Sequence, residues 1–397
     1  MFSVEKRIIA WFERHSLIVF AAAISVLAAA IRLNGWDFKS HDYAVWLKPW
    51  YDEIVSKGGL PAVSGQIGDY NVLYQLLIAL LSYLPIHPLT LYKGLSVLFD
   101  YLLAGCCAWM TMILTGKKVK AAIAYALLLL LPSVFIDSAY WAQCDAIYSF
   151  FLLASVLCMY KERYTCAFVM VAIAFQFKLQ TVFIFPFLLY MYVRTKRFSI
   201  LNFAWIPLLG MIICLVCGRG PLDTFRIYFA QTSSYRDMSL NFPSIWNLIT
   251  NDYAFFSQTA IVLTVAVLGV GMLLVVHGGF EFEGMNMLNI LIWSVWTCLL
   301  FLPAMHERYG YFLIVLLLLL AVADHRQIGY AAVCEIVTLI CYSRFVWPDL
   351  LGDAFPEYLC SAVYTGMYVL FIRQMIKNMT PTANEVCEHR AVPFGKG

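Results

Sequence analysis

Apolar runs of about 15–20 residues recur from one end of this chain to the other. An α-helix of that length crosses the hydrocarbon core of a bilayer and satisfies its backbone N–H and C=O groups internally. The expected fold class is therefore all-α, a polytopic transmembrane helical bundle in a single integral membrane domain. Composition agrees: 62% of the residues are hydrophobic and 13% charged, where a soluble domain carries about a quarter charged residues. Trp and Tyr often sit near the ends of the runs, as an interfacial belt requires. A net charge of +3 gives no reason to expect nucleic acid; the lipid bilayer is the expected partner. The 12 cysteines form no CxxC pair and fall mostly inside apolar runs, as small buried side chains do, so no metal is expected.

Charge bias orients the bundle. Lys6, Arg7 and Arg14 precede the first run, 17–33, and place the N-terminus in the cytoplasm. No small-residue cleavage site follows that run, so a retained first helix is expected. The later basic clusters are Lys117-Lys118-Lys120, Lys161-Arg163, Arg194-Lys196-Arg197, His325-Arg326 and Arg373-Lys377. All lie inside if the further spans are 90–115, 119–138, 140–160, 164–177, 180–193, 199–217, 257–277, 286–304, 309–323, 328–346 and 357–376. That predicts about twelve spans, with a range of about 11–13, and both termini inside. Two outer loops follow, at about 35–88 and 218–256, and a cytoplasmic tail at about 378–397. Within the first loop, Val45–Val55 reads as a short interfacial helix. Residues 71–84, stopped by Pro85 and Pro88, read as a re-entrant or interfacial segment rather than a span. The pair 164–177 and 180–193 reads as a hairpin whose tip, Lys178-Leu179-Gln180, stops inside the bundle. The acidic stretch Glu281–Glu283 reads as a solvated inner loop.

This topology gathers polar residues at the outer face: Asp42, Asp69, Gln143, Asp145, Lys178, Gln180, Arg236 and the run His306-Glu307-Arg308-Tyr309. Charges at or below the membrane surface are costly, usually paired, and usually mark a site. Asp42 reads either as a general base for a sugar hydroxyl or as a helix cap or solvated acid; Asp37 is its rival for the base. Asp69 reads as a cap or as an orienting acid. Gln143 and Asp145 open a span and read as caps or, for Asp145, as the partner of Lys178. Arg308 suits bidentate phosphate binding, and His306 suits donation to a phosphate oxygen or proton relay. Arg226 and Arg236 are loop charges that could cap the same anion. Asp100, Glu335 and Arg344 read as polar contacts between helices, and Lys93 as a snorkelling side chain.

Four stretches carry a resemblance: SHDY, GDYNVLY, SVFIDSAYWAQCDAIYSFF with FQFKLQTVFIFPFLLY, and MHERY. Over roughly residues 1–325 the chain resembles the GT-C glycosyltransferases, most closely bacterial relatives of the Gpi18/PIG-V-type mannosyltransferases. It departs where the family often has DYPP, here Asp69-Tyr70-Asn71-Val72, and where WGQ becomes Trp141-Ala142-Gln143. The resemblance implies an inverting membrane glycosyltransferase with its site on the extracytoplasmic face. It implies a polyprenyl-phosphate sugar as donor, a glycan, glycolipid or protein as acceptor, and no cofactor or metal. It makes Asp42 the base. Lys178, Gln180, His306, Arg308 and Arg236 become candidates for the donor phosphate, and Asp69, Tyr70, Gln143 and Asp145 for acceptor or side-chain positioning, supported by Glu307 and Tyr309.

Two other classes fit the same residues. A flippase of lipid-linked sugars predicts midplane ions and repeat symmetry; the polar set is one-sided and no repeat is evident. A lipid-diphosphate-dependent polymerase or ligase predicts an arginine-rich outer loop, and 218–256 holds Arg219, Arg226 and Arg236.

Overall fold

The computed structural model describes residues 3–348 and 355–379, so most of the expected cytoplasmic tail lies outside the described residues. The chain is almost entirely helical. In order the helices are α1 (Ser3–Asn34), α2 (Lys48–Ser56), α3 (Val72–Leu81), α4 (Pro88–Thr115), α5 (Lys118–Leu130), α6 (Pro132–Phe135), α7 (Asp145–Tyr160) and α8 (Tyr164–Phe177). There follow α9 (Phe185–Thr195), α10 (Trp205–Val216), α11 (Asp223–Ser234), α12 (Tyr253–His277), α13 (Gly284–Phe301), α14 (Tyr311–Ala323), α15 (Ile328–Val346) and α16 (Glu357–Met379).

Helices lie over every expected span. Six are long and apolar enough to cross a membrane, or seven if α5 and the segment after it form one bent span. The other apolar helices are 10–17 residues long. The bend, 49°, falls at Leu131-Pro132, where proline supplies no N–H to continue the ladder. Glu335 of α15 covers the restart by accepting from the Ser133 backbone N–H at 2.8 Å and its hydroxyl at 2.7 Å. α3 has ten residues, and its buried face includes Tyr74, Gln75 and Ile78.

The connections sort to two ends. Asp145 is the first residue of α7, and Lys161 follows its last; sixteen helical residues span about 24 Å. Likewise Arg163 precedes α8 and Lys178 follows it. Arg308 lies just before α14, and Lys120 donates to the Ala323 carbonyl at its far end. Arg197 joins Glu162 and Glu283 by ion pairs of 2.8 and 2.7 Å, so several basic connections share one end. The candidate site residues collect at the other.

Lys93 does not snorkel. It is fully buried, and its ammonium donates to the carbonyls of Gly35, Trp36 and Phe38 at 2.7, 3.0 and 2.6 Å. Gly35 and Trp36 follow the last turn of α1, where carbonyls lack helical partners and a cation is favoured. The same clamp fixes the strand of chain that leads into Asp42. Lys93→Met is expected to destabilise the protein by about 3 kcal/mol, because several carbonyls lose their donor inside the protein; the thermal midpoint in detergent measures it.

Candidate active site

Two loops and one turn build the site. Ser40 starts the first: its hydroxyl accepts from the Tyr43 N–H at 3.1 Å and donates to the Trp141 carbonyl at 2.8 Å. Ser40 therefore does the local capping, and Asp42 makes no side-chain cap bond. The Asp42 carboxylate reaches across the bundle instead. Its Oδ2 accepts from Trp141 Nε1 at 2.9 Å and Gln143 Nε2 at 2.6 Å, and lies 3.7 Å from Arg308 Nη2. Oδ1 has no partner among the described residues and is not enclosed.

The second loop, 141–144, leaves a π-helical stretch at Ile136–Tyr140 and is pinned by Gln143 N–H donating to the Asp137 carbonyl at 2.9 Å. Stretches of this kind are frequent at functional sites. Ala142 turns the loop with φ 64°, a left-handed conformation that disfavours a Cβ. Ala142→Gly is expected to raise stability by about 1 kcal/mol, read as a higher thermal midpoint. The turn presents Gln143 as a hub: its Oε1 accepts from the Tyr70 hydroxyl at 2.9 Å and from Arg308 Nη1 at 2.8 Å. The Tyr70 ring meets the Trp50 ring edge-on at 5.7 Å, and Gly68, with φ 60°, lies so close to that Trp50 ring that it leaves no room for a side chain.

Asp145 is fully buried and makes no cap; Cys144 holds the cap position without a side-chain bond. The Asp145 carboxylate accepts from Lys178 Nζ at 2.7 Å through Oδ1 and from Arg308 Nη1 at 3.2 Å through Oδ2. Lys178 stands where α8 stops. Its backbone is extended, and a 3₁₀ turn, Leu179–Ile184, follows.

The turn bearing His306-Glu307-Arg308 is placed by something the sequence does not signal, a parallel two-residue ladder. β1 (Ser239–Leu240), which follows α11, pairs with β2 (Met305–His306), with Ser239 opposite Met305 and Leu240 opposite His306. The Glu307 N–H continues the pairing to the Leu240 carbonyl at 3.1 Å. Arg308 then lies 5.1 Å from the centre of the Trp141 ring, a cation–π contact. Glu307 stands 3.5 Å from Arg308 Nε and 3.7 Å from His306 Nδ1. Burial pushes its carboxyl up, but the neighbouring His306 and the Arg308 charge outweigh this and hold it below the usual range. Burial opposes the charge of Arg308, yet Asp145 and Glu307 raise its pKa well above the ordinary value, so it stays a cation. His306 Nε2 is buried without a hydrogen-bond partner among the described residues. The His306 ring lies 5.2 Å from Tyr309 and 4.3 Å from Tyr235.

The structure thus brings together Asp42, Tyr70, Gln143, Asp145, Lys178, His306, Glu307, Arg308 and Tyr309. Three other expected residues stand apart. Gln180 is buried with its Oε1 unpartnered. Arg236 is exposed and makes no ion pair among the described residues. Asp69 is exposed and enters through its carbonyl, which accepts from Gln231. The rival acid Asp37 is also exposed. Asp137 is a further member, not among the expected site residues: it is fully buried, and neither carboxylate oxygen has a hydrogen-bond partner among the described residues. Its signal was an acid inside an apolar run. Behind it Arg32 and Asp100 form a buried pair at 2.8 Å, joined by the Ser138 hydroxyl. Two open depressions of about 400 and 360 Å³ flank Arg197 at the opposite end and share no residue with this cluster.

Neither a known protein-family model nor any curated protein matches the chain.

Proposed function

We propose that the protein is an inverting membrane glycosyltransferase that moves a sugar from a polyprenyl phosphate to an acceptor hydroxyl. In this reading the helices make about twelve crossings, both termini are cytoplasmic, and the Asp42 end faces outward. The observation that supports it best is the Asp42 carboxylate, fixed through Oδ2 by Trp141, Gln143 and Arg308 while Oδ1 has no partner among the described residues. A base needs that arrangement: a fixed orientation and one open lone-pair site. The exposure of Asp37 supports Asp42 over that acid.

Asp42 Oδ1 takes the proton of the acceptor hydroxyl as its oxygen bonds to the anomeric carbon. The bond from that carbon to the phosphate oxygen breaks on the opposite face, and polyprenyl phosphate leaves with the electron pair. Lys178 gives one of its three N–H bonds to Asp145, and Arg308 Nε–H, 3.5 Å from Glu307, makes no hydrogen bond among the described residues. These donors, with His306 Nε2, meet the charge that grows on the leaving phosphate. Asp145 holds both cations in place before the donor arrives.

The arginines favour this reading over a lipid-diphosphate polymerase. Arg219 is buried and committed to Gln66, Gln75 and the carbonyls of Val63 and Gly65. Arg226 pairs with Asp223 at 3.0 Å. The test is transfer by the purified protein from a labelled polyprenyl-phosphate sugar. No transfer to any hydroxyl acceptor, from a panel of lipid-linked sugars, rejects the reading. Labelling of a cysteine at position 306 from the cytoplasmic side alone rejects the orientation.

A further inference from the structure

We infer that Tyr235 and Asp69 form the acceptor subsite and that it takes a neutral, hydroxyl-rich sugar ring. The inference rests on the reading of the site as a glycosyltransferase. Tyr235 follows the last residue of α11, and β1 begins four residues later. The ladder to β2 therefore anchors it beside the site. Its ring meets His306 edge-on at 4.3 Å and 78°, yet 42% of the residue remains exposed. An aromatic held at the rim with exposed surface is a platform for the C–H face of a pyranose. The phenol lies within electrostatic reach of Asp69, Arg308, Asp42 and Glu307. Burial, then the charge of Asp69, pushes the phenol up, so it stays a neutral donor at physiological pH.

Asp69 belongs to the same rim. Gln231 of α11 ties its carbonyl to the helix that carries Tyr235, and its carboxylate is exposed. Sugar hydroxyls are recognised by carboxylates that accept from them and by aromatic faces that stack beneath them. Tyr235, Asp69 and Asp42 Oδ1 supply both on one rim. The sign of charge selects the class. Asp69, exposed at the rim, repels a phosphorylated or carboxylated acceptor, whereas the cations Lys178 and Arg308 are each within 15% exposure.

Steady-state kinetics with a fixed polyprenyl-phosphate sugar and a neutral oligosaccharide acceptor test this. Tyr235→Ala and Asp69→Asn are each expected to raise the acceptor KM about tenfold, with the donor KM unchanged. Tyr235→Trp is expected to keep the acceptor KM within about threefold. An unchanged acceptor KM in Tyr235→Ala overturns the subsite while leaving the transferase reading intact. A preference for an acidic over a neutral oligosaccharide overturns the choice of class. Saturation-transfer NMR with the neutral oligosaccharide, without donor, separates the two ideas. Binding lost in Tyr235→Ala but kept in Asp42→Asn supports the subsite even if the wild type transfers nothing. No binding by the wild type overturns it.

Discussion

Asp42→Asn is expected to lower sugar transfer by about 10²–10⁴-fold, the usual worth of one general base, while the thermal midpoint stays within about 2 °C. The two outcomes separate because the two oxygens do different work. Trp141 Nε1 and Gln143 Nε2 donate to Oδ2, and an amide oxygen in the same place accepts from both. The fold keeps those bonds. What the amide lacks is a basic Oδ1. Arg308 loses a negative neighbour at 3.7 Å but retains Asp145 and Glu307. Asp37→Asn is the control and is expected to transfer at the wild-type rate. A dead Asp37 variant beside an active Asp42 variant reassigns the base without touching the class of reaction. A strongly destabilised Asp42→Asn protein makes Asp42 a structural residue.

The second large effect is on stability. Asp145→Asn is expected to destabilise the protein by about 3–5 kcal/mol, the cost of leaving a buried charge without its partner. Lys178 is 7% exposed, and its short contact to a side-chain oxygen is with Asp145. Arg308 draws on the same carboxylate. The double variant Asp145→Leu with Lys178→Met is expected to recover most of the loss, since replacing a whole buried pair by apolar residues is often neutral or better. Chemical denaturation of the three proteins in one detergent gives the comparison. A double variant no more stable than Asp145→Asn means that Arg308, rather than Lys178, is the cation left stranded. Both proteins are expected to be inactive, so stability recovers where transfer does not.

How much of this was legible in the sequence depends on the distance over which each feature is decided. Long apolar runs interrupted by basic clusters are local, and helices lie where those runs are. The break between α8 and α9 was legible because Lys178 and Gln180 interrupt an apolar hairpin. That Asp42, Gln143, Asp145, Lys178 and Arg308 belong to one end followed from counting helices. Their mutual bonds did not. Ser40 takes the cap and leaves the acid free to cross the bundle. Lys93 was read from its place at a helix start, but its three acceptors lie more than fifty residues away. Asp69, Gln180 and Arg236 satisfied the same end-of-bundle rule and still stand outside the hydrogen-bonded cluster. Membership depends on which way a side chain turns, and helix counting carries no information about that. A ladder of two residues is too short for any alternation of apolar and polar positions.

That ladder couples two parts of the chain that are more than sixty residues apart. Because Leu240 holds the Glu307 N–H, the segment after Tyr235 and the turn bearing Arg308 shift as one piece. A change of length between residues 235 and 239 would move the aromatic rim relative to Asp42 and leave the helices where they are. In the glycosyltransferase proposed above, selectivity for one sugar over another would then drift through short insertions, without any change to the proposed base.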